Sequence, residues 1–164
     1  MASQFEHTEA QPFHVSVGAV LVNDEGKIMA HKLRVENMKP EHRYKLGGLE
    51  EAYILMRETI ENGESLEEAV ARGLKEEFGA EGVIQKYLGS LQFEVEGFEK
   101  TELFFSVKLT TLGERHADDA EAASELVWET PEFLIERMKE QGKRADRRDL
   151  DESKIIETYL TYGV

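Results

Sequence analysis

Hydrophobic and polar positions change period several times along this chain, and the changes mark its elements. Residues 14–22, HVSVGAVLV, form a Val-rich run that stops at Asn23-Asp24-Glu25-Gly26, after which KIMAHKL resumes the apolar pattern. A strand, a turn and a second strand are predicted there. Gly18 inside the first strand predicts a bulge or a close backbone approach. Residues 34–51 are charged, carry Pro40 and Gly47-Gly48, and read as a long excursion with the glycine pair as a turn. Residues 53–56, YILM, read as a short buried strand. The period then becomes helical: Ser65 and Glu68 have capping-box spacing, and Leu66, Ala69, Val70, Leu74 and Phe78 form an apolar stripe that ends at Gly79. Beyond it, residues 83–88, 89–95 and 101–109 read as three strands, 113–124 as loop and 126–128 as a last short strand. Residues 131–141 predict a helix with Thr130 as N-cap and Pro131 at its first position, and residues 153–162 predict a final helix. Residues 1–12 are expected as a flexible polar lead-in and 13–164 as a single domain. The order of elements predicts an α/β protein with a central mixed β-sheet between helices.

Composition narrows the function classes. A length of 164 residues suits one well-cored domain. The formal net charge of −14 argues against binding nucleic acid through its phosphates, which requires Lys and Arg to displace counterions. Small anionic ligands would need a metal or a local basic patch. No cysteine is present, which excludes disulfides and thiolate metal sites. The first residues lack the basic and apolar regions of a signal peptide, and no apolar run approaches bilayer length. A cytoplasmic protein without membrane contact is expected.

Residues 58–80, ETIENGESLEEAVARGLKEEFGA, hold the candidate chemistry. The stretch resembles the signature of the Nudix hydrolases, G-x5-E-x7-R-E-U-x-E-E-x-G-U with U apolar, and matches at Glu64, Arg72, Leu74, Glu76, Glu77, Gly79 and Ala80. It departs at two positions: Glu58 stands where the family has its opening glycine, and Gly73 where it has the glutamate after the arginine. The resemblance implies an α/β/α sandwich and attack of water on a pyrophosphate joined to another moiety X, with Mg2+ or Mn2+. Positions 73, 76, 77 and 80 share a helix face, so Glu76 and Glu77 are expected to reach the same loop as metal ligands. Arg72, with Glu68 and Glu76 as its i−4 and i+4 neighbours, is expected to orient the glutamates. Glu58 is expected to project its carboxylate into the space left by Gly73 and restore a ligand; the alternative is two independent losses. Glu121 and Glu125 are the candidates for a remote metal ligand or base.

Arg57, Arg43 and Lys45 are candidates for substrate contacts, Arg57 having as its alternative a surface pairing with acids. Tyr44, Phe93, Phe98 and Trp128 are candidates to stack on a base, although strand aromatics are commonly core. The basic run Lys143, Arg144, Arg147, Arg148 reads as phosphate contacts or as a solvated surface. His14 and His31 are expected to be structural. The expected partner is a small phosphorylated molecule. Many relatives dimerise, and the apolar residues Ile155, Ile156, Tyr159 and Leu160 fit either a homodimer contact or an intramolecular cap. A catalytically impaired nucleotide-binding or sensor protein and an acidic interaction module are the rival readings.

Overall fold

The computed structural model describes residues 2–117 and 123–162. Strands β1 (Phe13–Val22), β2 (Ile28–Arg34), β3 (Glu51–Ile54), β4 (Met56–Thr59), β5 (Ala80–Val95), β6 (Phe98–Leu112) and β7 (Glu125–Glu129) form one mixed sheet. Helix α1 (Leu66–Gly73) runs on into a π-helical turn, Leu74–Phe78. Helices α2 (Pro131–Ala145) and α3 (Ser153–Tyr162) follow β7.

β1 is the axis of the sheet, and its alternation explains the layers. Val17, Ala19 and Leu21 pack with Ala69, Val70, Leu74 and Phe78 on the α1 side. Val20 points the other way, with Tyr53, Leu55 and Phe104, onto Leu134 and Met138 of α2 and Ile155 and Ile156 of α3. Successive strand residues face opposite sides, so one Val-rich run supplies two cores. The result is a sheet sandwiched between helices, as expected. Ile155 and Ile156 thus cap the sheet within the chain, while Leu160 remains 46% exposed. Leu66, counted in the apolar stripe of α1, is exposed instead.

β1 pairs in parallel with β6 over its whole length, but touches β2 only at Val22 and Ile28. Below that point β2 pairs with β3 and β7, and β4 takes its place beside β1. The predicted strand 53–56 is therefore two strands that change partner at Leu55, whose N–H donates to Glu152 Oε1 at 2.8 Å. Tyr53 is held likewise: Gln141 of α2 accepts from its N–H at 3.0 Å and donates to its carbonyl at 2.7 Å. Gly18 marks a close approach, since a Cβ there would run into the Phe104 ring and lie 2.9 Å from the Met56 carbonyl. The predicted strands 83–88 and 89–95 are one strand, β5, in which register shifts, one of them between Tyr87 and Gly89, absorb the irregularity. The excursion contains two short 3-10 helices, Val35–Asn37 and Pro40–Leu46, over a small core of Leu33, Met38, Leu46, Leu49, Ala52 and Leu150. In the lead-in, Ser3 Oγ donates to the Ile60 carbonyl and Val15 N–H to the Phe5 carbonyl. Among the described residues no helix is long and apolar enough to cross a membrane.

Candidate active site

β4 ends beside the start of α1, and Arg72 ties the two together. Ser65 accepts from the Glu68 N–H while the Glu68 carboxylate accepts from the Ser65 N–H at 3.1 Å, closing the capping box. That use of Glu68 removes it from Arg72, contrary to the i−4 expectation. Arg72 instead binds both oxygens of Glu64, at 2.8 and 3.0 Å, and donates to the Thr59 carbonyl at 2.7 Å. Glu58 at 3.1 Å, Glu76 at 3.5 Å and Glu61 at 3.6 Å also lie around it. The fork geometry suits a guanidinium and not an ammonium. Its hydrogen bonds hold the Glu64 carboxyl below the usual range and, with Glu64 foremost, raise Arg72 itself.

Gly73 and Glu58 share one space. A Cβ at position 73 would lie 2.9 Å from Glu58 Cβ and 2.7 Å from Met56 Sδ, so the glycine is what admits the Glu58 side chain. Burial pushes the Glu58 carboxyl up, against hydrogen bonds from Arg72 and Glu77 that pull it down. Contact between two carboxyls requires a proton or a cation between them. Glu77 turns inward to 2% exposure, while Glu76 stays at the rim with its side chain 45% exposed on Arg72, because adjacent helical residues point in directions roughly 100° apart. The two carboxylates thus face different surroundings, although the spacing of 73, 76, 77 and 80 predicts that both reach the same loop.

Glu77 Oε1 lies 2.9 Å from His31 Nε2, and His31 Nδ1 lies 2.7 Å from Ser124 Oγ. Burial, with the charges of Arg115 and Arg57, pushes the His31 imidazole down to about 3, so it is neutral at ordinary pH. His31, expected to be structural, reaches the carboxylate network because it shares with Met29 the face of β2 that is turned toward α1 and Phe78.

A second charged group lies under the same opening. Arg57 donates to Glu152 Oε2 at 3.0 Å and to the Asp149 carbonyl at 2.7 Å, and stands 3.4 Å from Glu102. Lys100 is 3.6 Å from Glu102. Burial opposes the charge on Arg57, but Glu102 and Glu152 together hold it protonated. Burial likewise pushes Glu152 up and Lys100 down. Arg57 is thus neither a free phosphate grip nor a surface residue. A cavity of about 300 Å³ joins Glu77 and His31 to Arg57 and Lys100, with Phe93, Phe98, Tyr44, Lys45 and Arg147 around it. A larger depression of about 500 Å³ between α2, α3 and β5 contains none of the residues bound to Arg72.

The other sequence candidates separate. Lys45 and Tyr44 reach the cavity mouth, whereas Arg43 is used on the Met38 carbonyl at 3.1 Å. Trp128 packs into the α1-side core. Glu125 is exposed, and alternation along β7 sets it with Val127 on the α2 side, away from Glu77. Glu121 lies outside the described residues. In the basic run only Arg147 enters the network, binding both oxygens of Asp149 at 2.5 and 3.0 Å. Sequence reading missed Glu102, Lys100 and Glu152. One signal was present for Glu102: it shares the inward face of β6 with Phe104 and Ser106, where a charge needs a partner.

Among the described residues no three His, Asp or Glu side chains converge as a metal-holding group. Two carboxyls, Glu58 and Glu77, do meet, and their contact suits a hard cation whose remaining positions are filled by water and substrate oxygen.

No curated protein is significantly similar in sequence. Among solved structures, a NUDIX hydrolase from Nitrosomonas europaea superposes with a TM-score of 0.65 at 20% identity, over 90% of this chain and 88% of its own. The E. coli ORF135 protein superposes with a TM-score of 0.63 at 20% identity, over 92% and 90% respectively. The MutT protein from Methanosarcina mazei Go1 gives 0.51 at 22%, over 80% and 91%. These likenesses establish the fold. Residues 12–150 match the family model of the NUDIX domain, and the chain therefore belongs to the NUDIX family.

Proposed function

We propose that this protein is a divalent-metal-dependent hydrolase that cleaves the pyrophosphate of a nucleoside diphosphate linked to another moiety X. The observation that carries the reading is the shared space of Glu58 and Gly73, which returns a carboxylate to the side of Glu77 where the family's own glutamate is missing. NUDIX enzymes generally use divalent metal ions, and hard oxygen donors favour Mg2+ or Mn2+. Glu58 and Glu77 would hold the ion, with Glu76 at the rim; once bound, it would offset phosphate charge and lower the pKa of a water. Arg72 keeps Glu58, Glu64 and Glu76 in register with α1. Lys45 at the cavity mouth supplies positive charge for a phosphate, and Tyr44 and Phe98 supply faces for a base. The acidic surface disfavours nucleic acid as substrate.

One observation favours the second reading, a NUDIX-fold binding or sensor protein without turnover: among the described residues no group of three carboxylates or histidines meets at the site. Release of phosphate or nucleotide from ADP-ribose, ADP-sugars, dinucleotides and nucleoside triphosphates, with Mg2+ and with Mn2+, distinguishes the two. Turnover that disappears in Glu77→Gln supports the hydrolase. Nucleotide binding without turnover above Glu77→Gln supports the binding protein.

A further inference from the structure

Glu77 is the most buried carboxylate around α1, and its holder is not on α1. His31 Nε2 lies 2.9 Å from Glu77 Oε1, His31 Nδ1 lies 2.7 Å from Ser124 Oγ, and Arg115 Nη1 lies 2.9 Å from the same hydroxyl oxygen. A further bond, Arg115 Nη2 to the Ser124 carbonyl at 2.6 Å, fixes the serine. An arginine only donates, so Ser124 Oγ accepts from Arg115 and its own hydroxyl proton can face His31 Nδ1. With the Ser124 hydroxyl donating to Nδ1, the ring N–H is at Nε2 and faces Glu77. Phe78 packs across the imidazole, with ring centroids 4.8 Å apart, and limits its rotation.

Arg72 gathers Glu58, Glu64 and Glu76 with a full positive charge. Glu77 is held from another element: His31 of β2 hydrogen-bonds one of its oxygens. We propose that His31 is a positioning residue for Glu77, a hydrogen-bond donor held in place by Ser124 and Phe78 that sets the carboxylate toward Glu58, where the two would receive a divalent cation. The inference rests on the metal-holding role of Glu58 and Glu77 proposed above. Groups that hydrogen-bond a ligating carboxylate commonly change metal affinity about 10- to 100-fold when removed.

Mn2+ binding to the substrate-free protein, followed by electron paramagnetic resonance, tests this in wild type, Glu77→Gln, His31→Leu, His31→Gln and Ser124→Ala, with a thermal melt for each. His31→Leu keeps bulk and loses the donor; it should weaken Mn2+ about 10- to 100-fold. His31→Gln places an amide N–H near the old Nε2 and should recover most of the affinity. In Ser124→Ala, 15N shifts of the His31 ring should show both tautomers, with Mn2+ binding weakened by a smaller factor. Wild-type affinity in His31→Leu, while Glu77→Gln loses Mn2+, overturns the inference and leaves the metal site standing. Equal loss in the Leu and Gln variants also overturns it. Absence of any Mn2+ site sensitive to Glu77→Gln removes the metal reading and this inference with it. If His31→Leu does not melt cooperatively, Ser124→Ala decides: a single tautomer with unchanged affinity overturns the proposal.

Discussion

Position 73 is where a single missing carbon has the widest effect. Gly73 sits at the end of α1, where a glycine costs about 1 kcal/mol relative to alanine, and the space it leaves holds Met56 and Glu58. Restoring the glutamate alone, Gly73→Glu, places a Cβ 2.7 Å from Met56 Sδ and 2.9 Å from Glu58 Cβ, an overpacking expected to cost about 1–3 kcal/mol. Adding Glu58→Gly should recover much of that loss. A double-mutant cycle by chemical denaturation should give a coupling of about 1 kcal/mol or more, and additive effects would show two unrelated changes. The pairing was legible as an idea, because both residues fall at signature offsets. His31 was not legible, since a histidine among inward strand positions resembles any core histidine until its partner 46 residues away is known.

At the scale of elements, local chemistry was the best guide. Ser65, Glu68, Thr130, Pro131 and Gly79 all act as their types predict: the first two close the capping box, Thr130 accepts from the Phe133 N–H at 3.2 Å, and Gly79 takes the left-handed conformation at φ 65°. Ser65→Ala should therefore cost about 1 kcal/mol in guanidinium unfolding with an unchanged slope. No change would mean that the cap contributes nothing in solution. Elements that depend on a neighbour were harder to read. The break at Gly89 is a register shift opposite Phe104, and the break at Leu55 is an exchange of partners from β2 to β1. The π turn after Gly73 also leaves no periodic signal, because one widened turn alters the phase of only a few residues.

Across the whole molecule, buried charge links layers that sequence alone keeps apart. His14 lies between His7, Phe98, Lys100 and Thr59, and burial, followed by the charge of Lys100 and of His7, pushes it down to about 4. Its folded value lies below the unfolded value of 6.5, so the unfolded chain takes the proton first. The stabilisation is complete above about pH 6.5 and is lost as pH falls toward 4. Discounted for its half-exposed ring, the effect is about 1 kcal/mol between about pH 7 and pH 5. Thermal melts of metal-free wild type and His14→Gln should converge over that range, and a constant difference between them would show that His14 does not contribute. His31 acts in the same direction in both proteins, while the raised carboxyls Glu58 and Glu152 act in the opposite one.

The sequence by itself determined most of the strands and helices, how α1 is capped, and that Arg72, Glu76 and Glu77 lie along the helical stretch that Glu64 precedes, because all of these are short-range consequences of period and cap chemistry. Tertiary structure decided which charges share a space. Arg57 meets Glu152 across 95 positions, and Tyr53 finds Gln141 across 88. These meetings follow from β1 running parallel to β6 while β4 displaces β2 beside it. Periodicity states only which face of a strand is buried; what that face meets is set by register and chain crossing, and these are settled when the apolar layers pack.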